Sequence, residues 1–177
     1  MDDTPLFPVT TVGSWQRSTS LIRVLRAKQN GEMSDSECNR LADQEVISCI
    51  RSQEEAGVDI VTDSEQRRDN FYSYVVDKLA GMQLMQVSDL IDYANDRARM
   101  EEVLRALDVP AFAIKSPNVV DKLGKKEGLS LDELTFMKEH TNRQIKIPIP
   151  GPYMLTRSSW FEGLSDKVYE SAEELSK

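Results

Sequence analysis

Residues 34–65 constrain the fold of this chain more than any other stretch. Ser34-Asp35-Ser36-Glu37 has the form of a capping box, in which a serine hydroxyl and a glutamate carboxylate each satisfy a free amide at a helix start. Cys38, Leu41, Ala42, Val46, Cys49, Ile50 and Ala56 then recur near 3.6-residue spacing and draw one apolar face. Gly57 suits a left-handed helix stop. Val58-Asp59-Ile60-Val61-Thr62 follows as a short β-branched strand that ends in polar Asp63-Ser64-Glu65. A helix, a glycine and a strand in succession bury their apolar sides when the helix packs back on a sheet, which makes the chain α/β.

The rest of the chain repeats this alternation. Leu6–Val12 is a strand candidate, with Pro8 near its start or at an edge, and Gly13 opens a turn. Ser18, Thr19 or Ser20 can cap a helix over Leu21–Gln29, with Gly31 after its end. Phe71–Leu79 reads as a helix ended near Gly81, and Asp89–Leu107 as a charged helix whose Asp96–Glu102 run is a solvated face with Arg–Glu pairs. Val109–Ile114 reads as a strand and Lys115–Lys126 as a loop. Ser130-Leu131-Asp132-Glu133 is a second capping box opening a helix to about His140. Ile145–Ile149 is a strand that stops at Pro150-Gly151-Pro152, and Ser165–Ser176 is helical in composition. Alternating helices and short strands argue for parallel pairing with helical crossovers.

Composition narrows the function classes. The 177 residues, 40% apolar and 29% charged, suit one soluble domain, and the net charge of -8 repels phosphate backbones, so no nucleic-acid partner is expected. No run approaches the ~18 apolar residues of a membrane span. The start, Met-Asp-Asp-Thr-Pro, has neither basic residues nor an apolar stretch, so no secretory leader is expected. Two cysteines make no disulfide framework, and a cytoplasmic location is the expectation.

Three strands share one habit: each ends in a polar or Gly/Pro turn, in GSWQR, DSEQRR and PGPYML. Ligands of parallel α/β proteins sit beyond the carboxyl ends of the strands. Thr10-Thr11-Val12-Gly13-Ser14-Trp15-Gln16-Arg17 thus reads as one wall of a strand-end site.

Together these three elements resemble the cobalamin-independent methionine synthase family, barrel methyltransferases that methylate homocysteine. TTVGSWQR resembles its Gly-Ser-aromatic-Pro-Arg opening. GVDIVTDSEQRRDNF resembles its strand ending in Gly-Glu-x-x-Arg-x-Asp, and IPIPGPYMLTRSSW resembles its Pro-Gly-Pro-Tyr-Thr-Leu strand. Order and spacing match over nearly the whole chain. Gln16 stands in the place of a proline, Ser64 of a glycine and Met154 of a threonine, departures that keep another thiol acceptor or methyl donor open. A full (β/α)8 TIM barrel needs ~250 residues. The resemblance therefore implies a single partial domain over residues 1–177, the N-terminal half of a barrel with its first three or four β/α units.

The resemblance also assigns roles. Val12, Gly13 and Ser14 resemble the backbone wall that holds the amino-acid substrate, glycine allowing close approach; the alternative is a tight strand–helix turn capped by Ser14. Glu65 takes the place of the glutamate that contacts the homocysteine amine, a charge-assisted bond in a partly desolvated site; the alternative is an ion pair with Arg67 or Arg68. Arg17 either holds a carboxylate or pairs with an acid of its own chain. Asp63, Arg67 and Asp69 support the same patch from behind. Tyr153, Trp160 and Phe161 either stack on a flat pterin-like ring or pack on a neighbouring helix.

Zinc, which the family uses to deprotonate and hold the thiol, is expected for the complete enzyme, with its His-x-Cys, Glu and distant Cys ligands outside this chain. The chain offers no zinc site of its own. Its only histidine, His140, lies at a helix end, and Cys38 and Cys49, eleven residues apart on one helix, are separated by ~16 Å and read as core residues. Homocysteine or a related thiol and a folate-type methyl donor are the implied small-molecule partners. The isolated chain is expected to be inactive, and exposed sheet edges imply either a homo-oligomer or a companion C-terminal barrel half. Two other readings stand beside this one: a related barrel transferase acting on another thiol, and a non-catalytic half-barrel that serves binding or assembly.

Overall fold

A computed structural model of the chain describes residues 5–68, 70–106 and 115–177. In chain order the elements are α1 (Thr19–Gln29), α2 (Asp35–Glu55), β1 (Ile60–Val61), α3 (Val75–Lys78), β2 (Leu79–Gln86), α4 (Arg97–Arg105), β3 (Lys115–Lys125), α5 (Leu131–His140), β4 (Gln144–Ile145), α6 (Pro152–Ser159) and α7 (Ala172–Leu175). Short 3-10 helices lie at Asp89–Asp92 and Ser165–Lys167. The described residues form two compact units. One comprises those up to Phe71 together with Ser130–Ile149; the other comprises those of Tyr72–Leu129 and Pro150–Lys177.

The first unit has the parallel arrangement expected of it. Thr10 bridges Ile60 in parallel, and β1 pairs β4 in parallel with Ile60 opposite Gln144 and Val61 opposite Ile145. Asp59 ties the first extended segment down: its Oδ2 accepts from the Val9 amide at 2.8 Å, and its own amide donates to the Val9 carbonyl. Helix α1 starts at Ser18, whose hydroxyl accepts from the Leu21 amide at 3.1 Å. Helix α2 starts at Ser34, whose hydroxyl accepts from the Glu37 amide at 3.3 Å. It stops where Gly57 adopts a φ of 77°, a left-handed conformation that glycine enters without strain. Its buried stripe of Cys38, Ala42, Val46, Ile50 and Gln53 divides between two clusters. Cys38 and Ala42 pack on Leu21 and Leu25 of α1. Val46 and Ile50 pack on Val58, Val61 and Met137, flanked by Phe136, Ile145 and Ile147.

The second unit departs from expectation. The helix expected over Phe71–Leu79 is only Val75–Lys78, and Gly81 ends no helix. It sits inside β2, an eight-residue strand, with a φ of 80° at a register break between Ala80 and Met82. A Cβ there would lie 2.4 Å from the Lys122 carbonyl oxygen, so the bulge depends on glycine. The loop expected over Lys115–Lys126 is strand β3, paired antiparallel with β2. Pro117 and Gly124 hide it in sequence, but a two-stranded ribbon is all edge and accepts both. The strand expected at Val109–Ile114 lies outside the described residues. The helix expected over Asp89–Leu107 divides into a 3-10 turn and α4, which Asp96 caps, and its exposed Arg97–Glu101 and Arg105–Glu101 pairs match the expected solvated face. The expected C-terminal helix is a 3-10 turn followed by the four residues of α7. Among the described residues no helix is long and apolar enough to cross a membrane.

Candidate functional site

The strand ends GSWQR and DSEQRR are knit together by the backbone. The Trp15 amide donates to the Ser64 carbonyl at 3.2 Å. Arg17 Nη2 donates to the carbonyls of Glu65 at 2.9 Å and Arg68 at 2.6 Å. Gln66 Nε2 reaches the Ser64 carbonyl at 3.1 Å and the Trp15 carbonyl at 3.4 Å. Among the described residues Arg17 thus pairs with no acid, and its Nη2 is engaged by the two carbonyls. It spans the turn that presents Glu65, while its Nε is buried without a partner.

That turn is strained. Ser64 and Glu65 both have left-handed φ values, 58° and 54°. Each costs a non-glycine residue roughly 1–2 kcal/mol. Ser64 stands where the family element has glycine, and the left-handed backbone is the physical reason for that preference. Side chains hold the conformation. Asp63 Oδ1 accepts from the Glu65 amide at 3.1 Å, and Thr62 Oγ1 accepts from the Ser64 amide at 3.1 Å. From α2, fully buried Gln53 extends the strand end as a partner strand would. Its Nε2 donates to the Thr62 carbonyl at 2.8 Å, and its Oε1 accepts from the Thr62 amide at 2.9 Å.

Glu65 is 4% exposed, and its carboxylate makes no hydrogen bond or ion pair among the described residues. The alternative of a bond to Arg67 or Arg68 is not what forms. Arg67 pairs with Asp43 and lies 3.9 Å over the Phe136 ring. Arg68 is buried and grips Glu133 with two bonds, Nε to Oε1 at 2.7 Å and Nη2 to Oε2 at 2.5 Å, and reaches the Pro148 carbonyl at 2.8 Å. Instead Glu65 Oε1 lies over Gly13, where an added Cβ would approach it to 2.6 Å and Pro148 Cγ to 3.0 Å. Gly13, Glu65 and Pro148 therefore meet. Val12 is 95% exposed and Ser14 is exposed, so of the three-residue wall only Gly13 is enclosed by the described residues. Asp69 lies outside the described residues.

Asp63 is 1% exposed, and its Oδ2 has no partner. Burial, reinforced by the Glu133 charge, pushes its carboxyl up to about 6, with Arg68 and the Glu65 amide bond pulling the other way. Burial also raises the Cys49 thiol, against the pull of a hydrogen bond with Ser64. A polar cavity of about 430 Å³ lies beside these groups, lined in part by Trp15, Arg17, Glu45 and Cys49.

A zinc ion does not fit these residues. No three His, Cys, Asp or Glu groups converge among the described residues. His140 Nδ1 lies 2.7 Å from the Phe136 carbonyl and its ring stacks on Phe136, while Cys38 is core. In the second unit Phe161 packs with Met85, Leu90 and Leu164, so it belongs to a core, whereas Tyr153 is 78% exposed.

Sequence reasoning missed Gln53, Gln66 and the Arg68–Glu133 pair. Ser130-x-x-Glu133 has the pattern of a capping box, but the Ser130 hydroxyl caps no amide and the Glu133 carboxylate serves Arg68. The Glu65-x-x-Arg68 spacing, matching Glu-x-x-Arg in the family element, was the available signal for Arg68.

Comparison with known proteins agrees with this architecture. Residues 7–175 match the family described as the catalytic domain of cobalamin-independent synthase. The chain is 29% identical over 168 residues to a methionine synthase of Sulfurisphaera tokodaii, covering 94% of this chain and 44% of that protein. It is 30% identical over 177 residues to one of Pyrococcus furiosus, covering 98% and 47%. The chain therefore spans less than half the length of these relatives. Its fold matches a B12-independent methionine synthase from a Shewanella species with a TM-score of 0.65 at 19% identity, over 97% of this chain and 44% of that one. The fold is α/β, with parallel pairing in the first unit and the antiparallel β2–β3 ribbon in the second, and it corresponds to half of such a barrel. On the match over residues 7–175, the chain belongs to the cobalamin-independent synthase catalytic-domain family.

Proposed function

We propose that this chain supplies the amino-acid cradle of a methyltransferase that moves a methyl group from a folate-type donor to the thiol of homocysteine. One observation supports this most: Glu65 is buried against Gly13 with its carboxylate unpaired among the described residues, although two arginines follow it within three positions. A desolvated carboxylate without a counter-ion lacks a cation, and a substrate ammonium supplies one through charge-assisted hydrogen bonds. Gly13 lets the ligand and Glu65 approach the same backbone. Arg17 holds the Glu65 and Arg68 carbonyls, so it acts through the turn.

In this reading the chain's residues bind and orient. Glu65 fixes the ammonium end and thereby the direction of the thiol. The strained turn, held by Gln53, Thr62 and Asp63, keeps Glu65 in place before the ligand arrives, which lowers the entropic cost of binding. Zinc, where the family uses it, would have its ligands outside the described residues. The chain alone is accordingly proposed to bind without turning over, and a complementary barrel half, in a longer polypeptide, a partner or a second copy, to complete the site in the cytoplasm.

Titration calorimetry with L-homocysteine and with 4-mercaptobutanoate, which lacks the amine, tests the cradle. L-Homocysteine is expected to bind, and Glu65→Gln to weaken it by roughly 1.5–3 kcal/mol, the range for a hydrogen bond to a charged group. The same substitution is expected to leave 4-mercaptobutanoate unaffected. Equal loss for both ligands would favour a transferase for another thiol, and binding of neither would leave a non-catalytic module.

A further inference from the structure

Behind Glu65 lies a second acid that the cradle does not use. Asp63 Oδ1 holds the Glu65 amide, while Oδ2 is buried without a hydrogen bond. The charged and titratable groups facing it come from three elements. Glu133 faces it from α5, Cys49 from α2, and Glu65 and Arg68 from its own turn. Arg68 grips Glu133 with two bonds, which leaves Asp63 and Glu65 as two buried carboxylates with no cation bonded to either among the described residues. Neighbouring buried carboxylates do not both stay ionised cheaply, and the proton goes to the one more completely sealed from water, here Asp63, 1% exposed with Oδ2 enclosed without a partner.

We propose that Asp63 is a proton-linked positioning residue, which carries a proton when the cradle is empty and releases it to solvent when a ligand ammonium settles against Glu65. This rests on the reading of Glu65 as the amine-binding carboxylate. The balance is simple: the ligand enters with one positive charge, the Asp63 O–H bond breaks, its proton leaves to water, and the ionised Asp63 shares the new cation's field with Glu65. The empty site is thus spared two buried negative charges, and the filled site has them where a cation is bound. An elevated Asp63 midpoint agrees with this arrangement. Between the midpoints of the free and filled states, affinity for an ammonium ligand rises by up to about tenfold per pH unit. A thiol acid without the amine gains no such dependence.

The test follows the Asp63 carboxyl carbon by NMR across pH 3–9 in the full chain, assigned by its loss in Asp63→Asn. It is recorded free, with saturating L-homocysteine, and with saturating 4-mercaptobutanoate. The expected result is a midpoint near 6 in the free chain that falls by a unit or more with L-homocysteine and stays put with 4-mercaptobutanoate. Calorimetry should then show L-homocysteine affinity rising with pH for the native chain and flatter for Asp63→Asn, a profile that a purely structural role would not move. An ordinary carboxylate midpoint in the free chain overturns the proposal. So does an elevated midpoint that bound L-homocysteine leaves unmoved, and in that case the cradle itself survives. If L-homocysteine perturbs no signal near Gly13 and Glu65 at any pH, the cradle fails, and the proton linkage with it.

Discussion

Gly13 illustrates how a single hydrogen atom positions a carboxylate. An alanine Cβ would lie 2.6 Å from Glu65 Oε1, and the atom it meets is the end of a flexible side chain rather than backbone. Gly13→Ala is therefore expected to displace the carboxylate at little cost to the fold. Homocysteine affinity should fall at least tenfold while the melting temperature moves by only a few degrees, checked by calorimetry and thermal denaturation together. Asp63 makes the opposite kind of prediction. Its carboxyl titrates near 6 in the fold and near 3.8 when unfolded, so between those values the native chain binds more protons. Stability from this group is then greatest below pH 4 and declines as pH rises to 6. Asp63→Asn keeps an acceptor for the Glu65 amide and removes the titration. The variant should be the more stable form above pH 6, by up to about 3 kcal/mol, and should lose the slope between pH 4 and 6, as urea denaturation across pH would show.

At the scale of elements, the parts of the fold with local causes were legible. Helix α2 announced itself through Ser34, a buried stripe and Gly57, each acting within a few residues. The β2–β3 ribbon was not legible, because its strands are defined by partners far apart in sequence, from Gln86 opposite Lys115 to Leu79 opposite Lys125, and by a glycine bulge, which reads locally as a helix end. The site divided in the same way. Gly13 and Glu65 stand in recognisable turns, but Arg68 and Glu133 are 65 residues apart, and the pair was disguised by an apparent capping box. Breaking it exposes that hidden link. Glu133→Gln removes the carboxylate charge that buried Arg68 grips and should cost about 3–5 kcal/mol, whereas a paired replacement, Arg68→Met with Glu133→Leu, should recover much of the loss. Chemical denaturation of the native chain and the two variants distinguishes the cases. At Gly81, an alanine would meet the Lys122 and Asp121 carbonyl oxygens at 2.4 and 2.6 Å in a left-handed conformation. Gly81→Ala should disrupt the ribbon, read as loss of amide protection in β2 and β3.

At the scale of the whole molecule, the chain matches 44–47% of two curated methionine synthases and the same share of a solved one. No three metal-ligating groups converge among the described residues. In the proposed reading this chain contributes the cradle, and binding and chemistry then fall to different parts of a barrel. Two of the large apolar side chains at the start of the first extended segment, Leu6 and Phe7, are 88% and 86% exposed, and Val9 beside them is 56% exposed, as suits an edge that another strand covers. Sedimentation of the purified chain should accordingly show a species heavier than one copy as concentration rises, or a monomer that becomes a defined complex when a complementary half is added.

The most direct test of the central claim is the affinity of the chain for L-homocysteine before and after Glu65→Gln, with 4-mercaptobutanoate as the ligand lacking an amine. A Glu65 cradle predicts tight discrimination by the native chain and its collapse in the variant, with the amine-free ligand indifferent to the substitution. Equal binding of L-homocysteine by both proteins would contradict it, because the buried carboxylate would then have no part in holding the ammonium.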